Sequence, residues 1–300
     1  MYSYHHPAYI RSLSEFGTPR ALPESGGWLL ERQTPGMAYT DCMGPYPLFS
    51  CEDWEKVPGE ISNLDSDLVA VSMVTDPFAD FDLEKMQACF DSRFFPFKQH
   101  YAVDLDIPLE QIGGKRRRRH ARRALNKLTI AVSESPAEYL DEWMDLYAVL
   151  MEKHQIKGVR AFSRVSFLEQ FQIPGAVMIR ALYHGKAVGI QVYLYQGNVV
   201  HAHLGACSPE GYDLEATYAI DYYSFEYFKG KARWVNLGGG VGISDEELDG
   251  LSIYKSAWAS HTRTSYFCGK VLNAERYEEL MRIKNGPQTN YFPAYRAGEY

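Results

Sequence analysis

Three consecutive glycines, Gly238, Gly239 and Gly240, end a run of strand character at Trp234 to Leu237, and Lys255 follows them across an acidic loop. Glycines directly after a strand permit positive φ angles and let another molecule approach the backbone closely. A lysine carried a short loop later places one mobile cation beside that bare backbone. There it suits a phosphate, a carboxylate or a developing oxyanion. The loop contains Asp245, Glu246, Glu247 and Asp249, and of these Asp249 is the one expected to face a site. Tyr254 directly precedes the lysine. Taken singly, the glycines also fit a flexible turn and Lys255 a solvated cation, because glycine runs are commonest as punctuation.

Two further groups have chemical character. His201 and His203 alternate on the strand-like VVHAHLGA, so both point to one face. With Cys207 they form H-x-H-x3-C, which lacks a fourth ligand and a zinc spacing, so no metal is expected and a groove-lining role for a histidine stays open. The segment Lys115 to Arg123 reads KRRRRHARR, in which Arg116, Arg119 and Arg123 share one helical face and Arg118 and Arg122 another. Charges packed this closely repel and call for anionic partners, either the protein's own acidic surface or a polyanion. Near the N-terminus, TPGMAYTDCMGPYPLF is rich in turn formers, and Asp41 and Tyr46 are its candidates for lining a groove.

Composition bounds the reading. A chain of 300 residues exceeds what one core usually organises, so two domains are expected. The net charge is −7, yet the basic segment holds 7 of the 31 Lys and Arg, leaving 24 against 38 acidic residues elsewhere. That is one concentrated cationic site on an acidic body. Five scattered cysteines without a CxxC argue for reduced thiols and against a disulfide framework. The N-terminus has no apolar signal-like core and no run reaches membrane-spanning length, so a cytoplasmic protein is expected. Neither a Gly-x-Ser-x-Gly elbow nor a Walker-type phosphate loop is present, which ranks hydrolase and NTPase chemistry low.

These residues need a scaffold. The N-terminal third predicts strands at 26–33, 67–74 and 93–106 and helices near the N-terminus and at 83–90. Pro96 argues for an edge position or a bulge in the last strand. A basic helix follows within 107–128. Then come a strand at LTIAVSE, an amphipathic helix over PAEYLDEWMDLYAVLMEKH, a short helix at 165–171, and three strands at hairpin spacing across His184-Gly185 and Gly197-Asn198. A long helix, ATYAIDYYSFEYFKGKA, leads to strand WVNL and the three glycines.

That order resembles the GNAT acyltransferase core. Over roughly residues 90 to 280 the chain is similar to the Fem family, peptidyl aminoacyltransferases built from two tandem GNAT-like domains, and to related GNAT sequences. The features that carry the resemblance are the strand FKQHYAVDLD leading to RRRRHARRA, the hairpin GKAVGIQVYLYQ, VVHAHLGA, the LGGG strand end and the LxxYK segment at Leu251 to Lys255. The fold class implied is α/β (α+β), with two tandem GNAT-like domains whose mixed central sheets are flanked by helices. The expected boundaries are an N-terminal, degenerate, acceptor-side domain at 1–106, a linking basic helix at 107–128 and a C-terminal domain at 129–300.

The resemblance implies transfer of an aminoacyl group from aminoacyl-tRNA, as co-substrate and without another cofactor, to an amine on a peptide or peptidoglycan precursor. Lys255 falls where the family pattern carries its functional lysine, with Tyr254 as the preceding aromatic residue. Joined to the residue readings above, the expected roles are catalysis for Lys255 and Asp249; substrate binding for Gly238, Gly239, Gly240, Tyr254, His201, His203, Asp41 and Tyr46; and tRNA phosphate binding for Arg116, Arg118, Arg119, Arg122 and Arg123. The long helical hairpin of members acting on lipid-linked substrates is missing, which points to a soluble acceptor. Only Gly211 stands where an acyl-CoA enzyme has its glycine-rich pyrophosphate loop. An acyl-CoA N-acyltransferase and a non-catalytic RNA-binding module remain the alternative expectations.

Overall fold

The computed structural model describes residues 3–240, 250–286 and 289–299. Along the chain the elements are α1 (Pro7–Arg11), β1 (Thr18–Leu22), β2 (Gly27–Gln33), β3 (Thr40–Met43), α2 (Val57–Ser62), β4 (Leu68–Val74), α3 (Leu83–Cys89) and β5 (Arg93–Asp104). Then follow α4 (Lys115–Leu125), β6 (Thr129–Ser133), α5 (Leu140–His154), α6 (Arg164–Gln170), β7 (Val177–Tyr183), β8 (Lys186–Gln196) and β9 (Val199–Cys207). The chain ends with α7 (Pro209–Asp213), α8 (Ala216–Phe228), β10 (Trp234–Asn236), α9 (Gly250–Ser256), β11 (His261–Val271) and α10 (Ala274–Ile283).

Two compact units share these elements. One is built from Lys98–Ile156 and Ser163–Thr264, the other from Tyr4–Phe97, Lys157–Phe162 and Ser265–Tyr300. In the first, six strands run in the order β5-β10-β9-β8-β7-β6. Their pairings are antiparallel except for β9 with β10, which is parallel, so the sheet is mixed. The β7–β8 hairpin turns through His184 and Gly185, at φ 48° and 80°, the positive pair that a tight two-residue turn demands. Helix α8 packs on β7 and β8, burying Ala219, Ile220, Phe225 and Phe228. These join Ile179, Tyr193, Val200, Val235 and Trp258 in the unit's core. Removing such apolar area from water is the main force holding the layers together.

The other unit orders its strands β1-β2-β3-β4-β11. Its core gathers Leu29, Phe49, Trp54, Ile61, Val71, Met86, Phe90 and Cys268, while Val69, Leu280, Phe292 and Tyr295 form a second cluster under α10. All five cysteines are buried and unbridged.

The units divide the chain differently from the sequence boundaries at 106 and 128. The C-terminal segment from Ser265 belongs with the N-terminal strands, because β11 pairs antiparallel with β4 and α10 packs on it. The basic helix α4 is an integral part of the first unit, where Ala121 and Ala124 are buried and the helix packs along α8. The turn-rich stretch around Asp41 likewise contains a strand, β3, pairing with both β2 and β4.

Candidate active site

The strand end of β10 carries the candidate site. Leu237 is followed by Gly238 at φ 82°, and a Cβ built there would lie 3.1 Å from Lys255 Nζ. The glycine therefore serves two needs, a left-handed backbone and room for the lysine. Lys255 Nζ donates to Gly239 O at 2.8 Å. Lys98, on β5, donates to Gly240 O at 3.1 Å. Both lysines are half-buried, as are the three glycines.

Beneath the glycines lies a buried polar chain. The Gly238 amide donates to Asn236 Oδ1 at 2.9 Å, which fixes the orientation of that side-chain amide because a backbone N–H can only donate. His100 Nδ1 lies 3.3 Å from the same oxygen and so carries the proton, while Asn236 Nδ2 donates to His201 Nδ1 at 3.0 Å. Burial, with the Lys255 charge second, pushes His100 down to about 3, so its imidazole is neutral at physiological pH. His203 bonds Gln170 Oε1 at 3.2 Å and is held near 3 by burial first and His201 second. Among the described residues no group of three His, Cys, Asp or Glu is placed to hold a metal ion.

Tyr254 is engaged with α8. Its hydroxyl donates to Asp221 Oδ2 at 2.7 Å, and its ring meets that of Tyr218 edge-on at 5.0 Å. Asp221, on α8, is 5% exposed, and burial pushes its carboxyl up to about 6 against the opposing effects of Tyr254 and Lys255. Asp249 lies outside the described residues.

The basic helix splits its arginines between inward and outward work. Arg117 Nη1 donates to Tyr218 Oη, and its guanidinium lies 5.3 Å from the Tyr218 ring centre and 5.0 Å from that of Tyr254. Arg118 donates to the carbonyls of Gly113 and Ile112. Arg123 and His120 converge on Glu215, at 2.5 and 2.7 Å. Arg116, Arg119 and Arg122 are exposed and form no ion pair among the described residues. The protein's own acidic surface thus neutralises part of the helix and leaves three arginines facing outward.

In the other unit, Asp41 corrects its expected placement. It is fully buried, accepting from Arg32 Nη2 at 3.2 Å, Arg296 Nε at 2.5 Å and Tyr295 Oη at 2.8 Å. A carboxylate with its oxygens occupied this way is a structural tie, not a groove-lining group. Tyr46 is half-buried against Phe162, with ring centres 6.2 Å apart, and burial raises its phenol. A cavity of about 490 Å³ opens in this unit beside Arg32, Thr40, Gly158, Arg296 and Glu299.

Lys98, His100, Asn236, Arg117 and Asp221 join the candidate site only in the folded structure. The period-two pattern of FKQHY places Lys98 and His100 on one side of a strand, the one signal that pointed to two of them. Nothing local marks Asp221 or Asn236, which read as ordinary polar positions.

Gly211 is occupied by packing. Its amide donates to Ser208 Oγ at 3.0 Å, and a Cβ there would lie 1.9 Å from Val188 O. The loop around it forms the capped helix α7, without a bare-amide cradle at Gly211.

No protein-family model matches the sequence, and no characterised protein matches it by sequence. Solved structures do share the fold. FemX superposes with a TM-score of 0.63 at 15% identity, over 93% of this chain and 98% of that one. The C-terminal domain of a putative lysylphosphatidylglycerol synthetase from Agrobacterium fabrum gives 0.63 at 15% identity, over 95% of each chain. L-PGS from Bacillus licheniformis gives 0.56 at 16% identity, over 95% of this chain and 97% of its own. The chain therefore has the fold of FemX and of the lysylphosphatidylglycerol synthetase C-terminal domain.

Proposed function

We propose that the protein is a tRNA-dependent aminoacyltransferase that moves an amino acid from aminoacyl-tRNA to the amino group of a soluble peptide, a natural-product peptide or a peptidoglycan precursor, forming a peptide bond. One observation carries the reading: Lys255 and Lys98 bring two ammonium groups to the carbonyls of Gly239 and Gly240 at the half-buried end of β10. A neutral carbonyl is a weaker partner for an ammonium than a phosphate or an oxyanion. An incoming donor's negative charge would compete with the glycine carbonyls for these lysines. Lys255 would then stabilise the oxyanion formed when the acceptor amine attacks the ester carbonyl, or the adjacent phosphate, and Lys98 would share the charge. An aminoacyl ester is already activated, so holding donor and acceptor together supplies much of the remaining rate.

Two further features support the donor class. Lysylphosphatidylglycerol synthetase, by its name, makes an aminoacylated product, and its C-terminal domain shares this fold. Arg116, Arg119 and Arg122 face outward from the same unit as Lys255, as contacts for a polyanion would. The packing of Gly211 speaks against an acyl-CoA donor, because its amide is already bonded to Ser208. No helix among the described residues is long and apolar enough to cross a membrane. Cytoplasmic action on a soluble acceptor accords with that. The reading is tested by offering charged total tRNA or acetyl-CoA with a pool of amine-bearing peptides and weighing the products. Aminoacyl gain sensitive to RNase supports it, and an acyl gain from CoA replaces it.

A further inference from the structure

Helix α9 is only seven residues long, yet it must hold Lys255 against Gly239. The lysine itself donates to the Gly239 carbonyl. Its neighbour, Tyr254, adds a second set of fixing interactions, with its side chain in the space between α4 and α8. On the α8 side the Tyr254 hydroxyl donates to buried Asp221, and the ring packs edge-on against Tyr218. On the α4 side Arg117 places its guanidinium over both rings, donates to Tyr218 Oη and reaches the Ile253 carbonyl at 3.4 Å. Arg117 thus touches α8 and the backbone of α9 at once. Just beyond the helix, Trp258 is 1% exposed, and its amide donates to Lys255 O at 3.0 Å. Gly113, one residue before the N-cap of α4, is at φ 67°, and a Cβ on it would come within 2.5 Å of the Trp258 ring. The start of the basic helix is therefore fitted closely to the end of the lysine's helix.

We infer that Arg117 and Asp221 are positioning residues for Lys255, acting through Tyr254, and that Arg117 does a different job from the outward-facing arginines of the same helix. Its partners are aromatic faces, a phenol and a carbonyl. Arg116, Arg119 and Arg122 by contrast present charge outward from the same helix. A guanidinium suits the inward role better than an ammonium, because its plane stacks on rings while its edge donates. Asp221 complements it from the opposite side by accepting the Tyr254 hydroxyl.

The inference deepens the proposed function, since it gives Lys255 its importance, but its test does not require turnover. The rate of amine labelling at each lysine is measured by mass spectrometry in the folded protein, for wild type and for Arg117→Ala, Asp221→Ala, Asp221→Asn, Tyr254→Phe and Arg116→Ala. Circular dichroism and the labelling of Lys153 and Lys231, which lie over Tyr212 and Tyr227, report on the rest of the fold. Labelling of Lys255 should rise several-fold in Arg117→Ala, Asp221→Ala and Tyr254→Phe. It should stay at the wild-type rate in Arg116→Ala and rise less in Asp221→Asn than in Asp221→Ala, because the amide oxygen still accepts the hydroxyl although the charge felt by Lys255 is gone. Should Arg117→Ala not fold, Arg117→Lys and Tyr254→Phe carry the test. Wild-type labelling of Lys255 in folded Arg117→Ala or Tyr254→Phe, or in Arg117→Lys where Arg117→Ala does not fold, overturns the inference. A changed labelling pattern without any aminoacyl transfer upholds the positioning and counts against the proposed function alone.

Discussion

Lys255 and Lys98 end on neighbouring carbonyl oxygens, Gly239 O at 2.8 Å and Gly240 O at 3.1 Å, although they stand far apart in the sequence. Both ammonium groups meet backbone dipoles at the end of a strand, where under the proposed function a donor's negative charge would compete with those dipoles. The pair makes unequal predictions. Lys255→Ala should lower kcat by roughly a hundred- to a thousandfold, the usual effect of removing one oxyanion donor, with little change in donor affinity. Lys98→Met should cost less and act partly on KM. Single-turnover and steady-state kinetics on the two variants check this, and equal losses for both would contradict the division of labour.

Outward arginines should act through charge alone. Replacing Arg116, Arg119 and Arg122 with Gln should weaken binding of tRNA irrespective of its sequence. It should also reduce the slope of log affinity against log salt by about 2 to 3, at roughly 0.7 to 0.9 for each phosphate no longer neutralised. Arg123, already bonded to Glu215, should change the slope less. Binding titrations across a salt series measure both.

Asp221 sets a pH dependence of stability. Its folded-state carboxyl sits near 6, above its ordinary 3.8, so the folded protein holds a proton that the unfolded chain releases. The contribution is fully present below pH 3.8 and is lost as pH rises through about 6, an effect of at most about 3 kcal/mol. Asp221→Asn has no such proton to lose. Urea unfolding at pH 4 and pH 7 should therefore show the variant gaining on wild type as pH rises. A constant difference between the two would contradict a buried, raised carboxyl.

Asp41 should behave as a structural residue. Asp41→Ala leaves the Arg32 and Arg296 guanidiniums without their shared buried carboxylate, and losing one member of a buried ion cluster costs about 3 to 5 kcal/mol. Denaturant midpoints should fall accordingly, while the KM of the surviving folded enzyme stays near wild type. A raised acceptor KM with unchanged stability would restore the groove role suggested by its loop.

The regular part of the fold was legible because its signals are local. The β7–β8–β9 meander declares itself through alternating apolar residues and turns at His184-Gly185 and Gly197, all with positive φ in the structure. The closeness of Lys255 to the strand-ending glycines was legible from their spacing. The Arg117 role was not, because in a run of four arginines nothing local says which one turns inward, and that is decided by Tyr218 and Tyr254 far along the chain. Strand β3 has no local signal, because its four residues, TDCM, owe their conformation to pairing with β2 and β4 rather than to propensity. Asp41 was misread with it, since its partners Arg296 and Tyr295 lie at the other end of the sequence.

Under the proposed function, Lys255 serves transfer from an aminoacyl ester carried by tRNA. The most direct measurement is single-turnover transfer of a radiolabelled amino acid from charged tRNA to an amine-bearing peptide pool, run with wild type, Lys255→Ala and an RNase-treated donor. The account predicts a label-bearing peptide product with wild type, a rate reduced by roughly a hundred- to a thousandfold with Lys255→Ala, and no product once the tRNA is digested. Product formed at the wild-type rate by Lys255→Ala, or formed from acyl-CoA and indifferent to RNase, would contradict it.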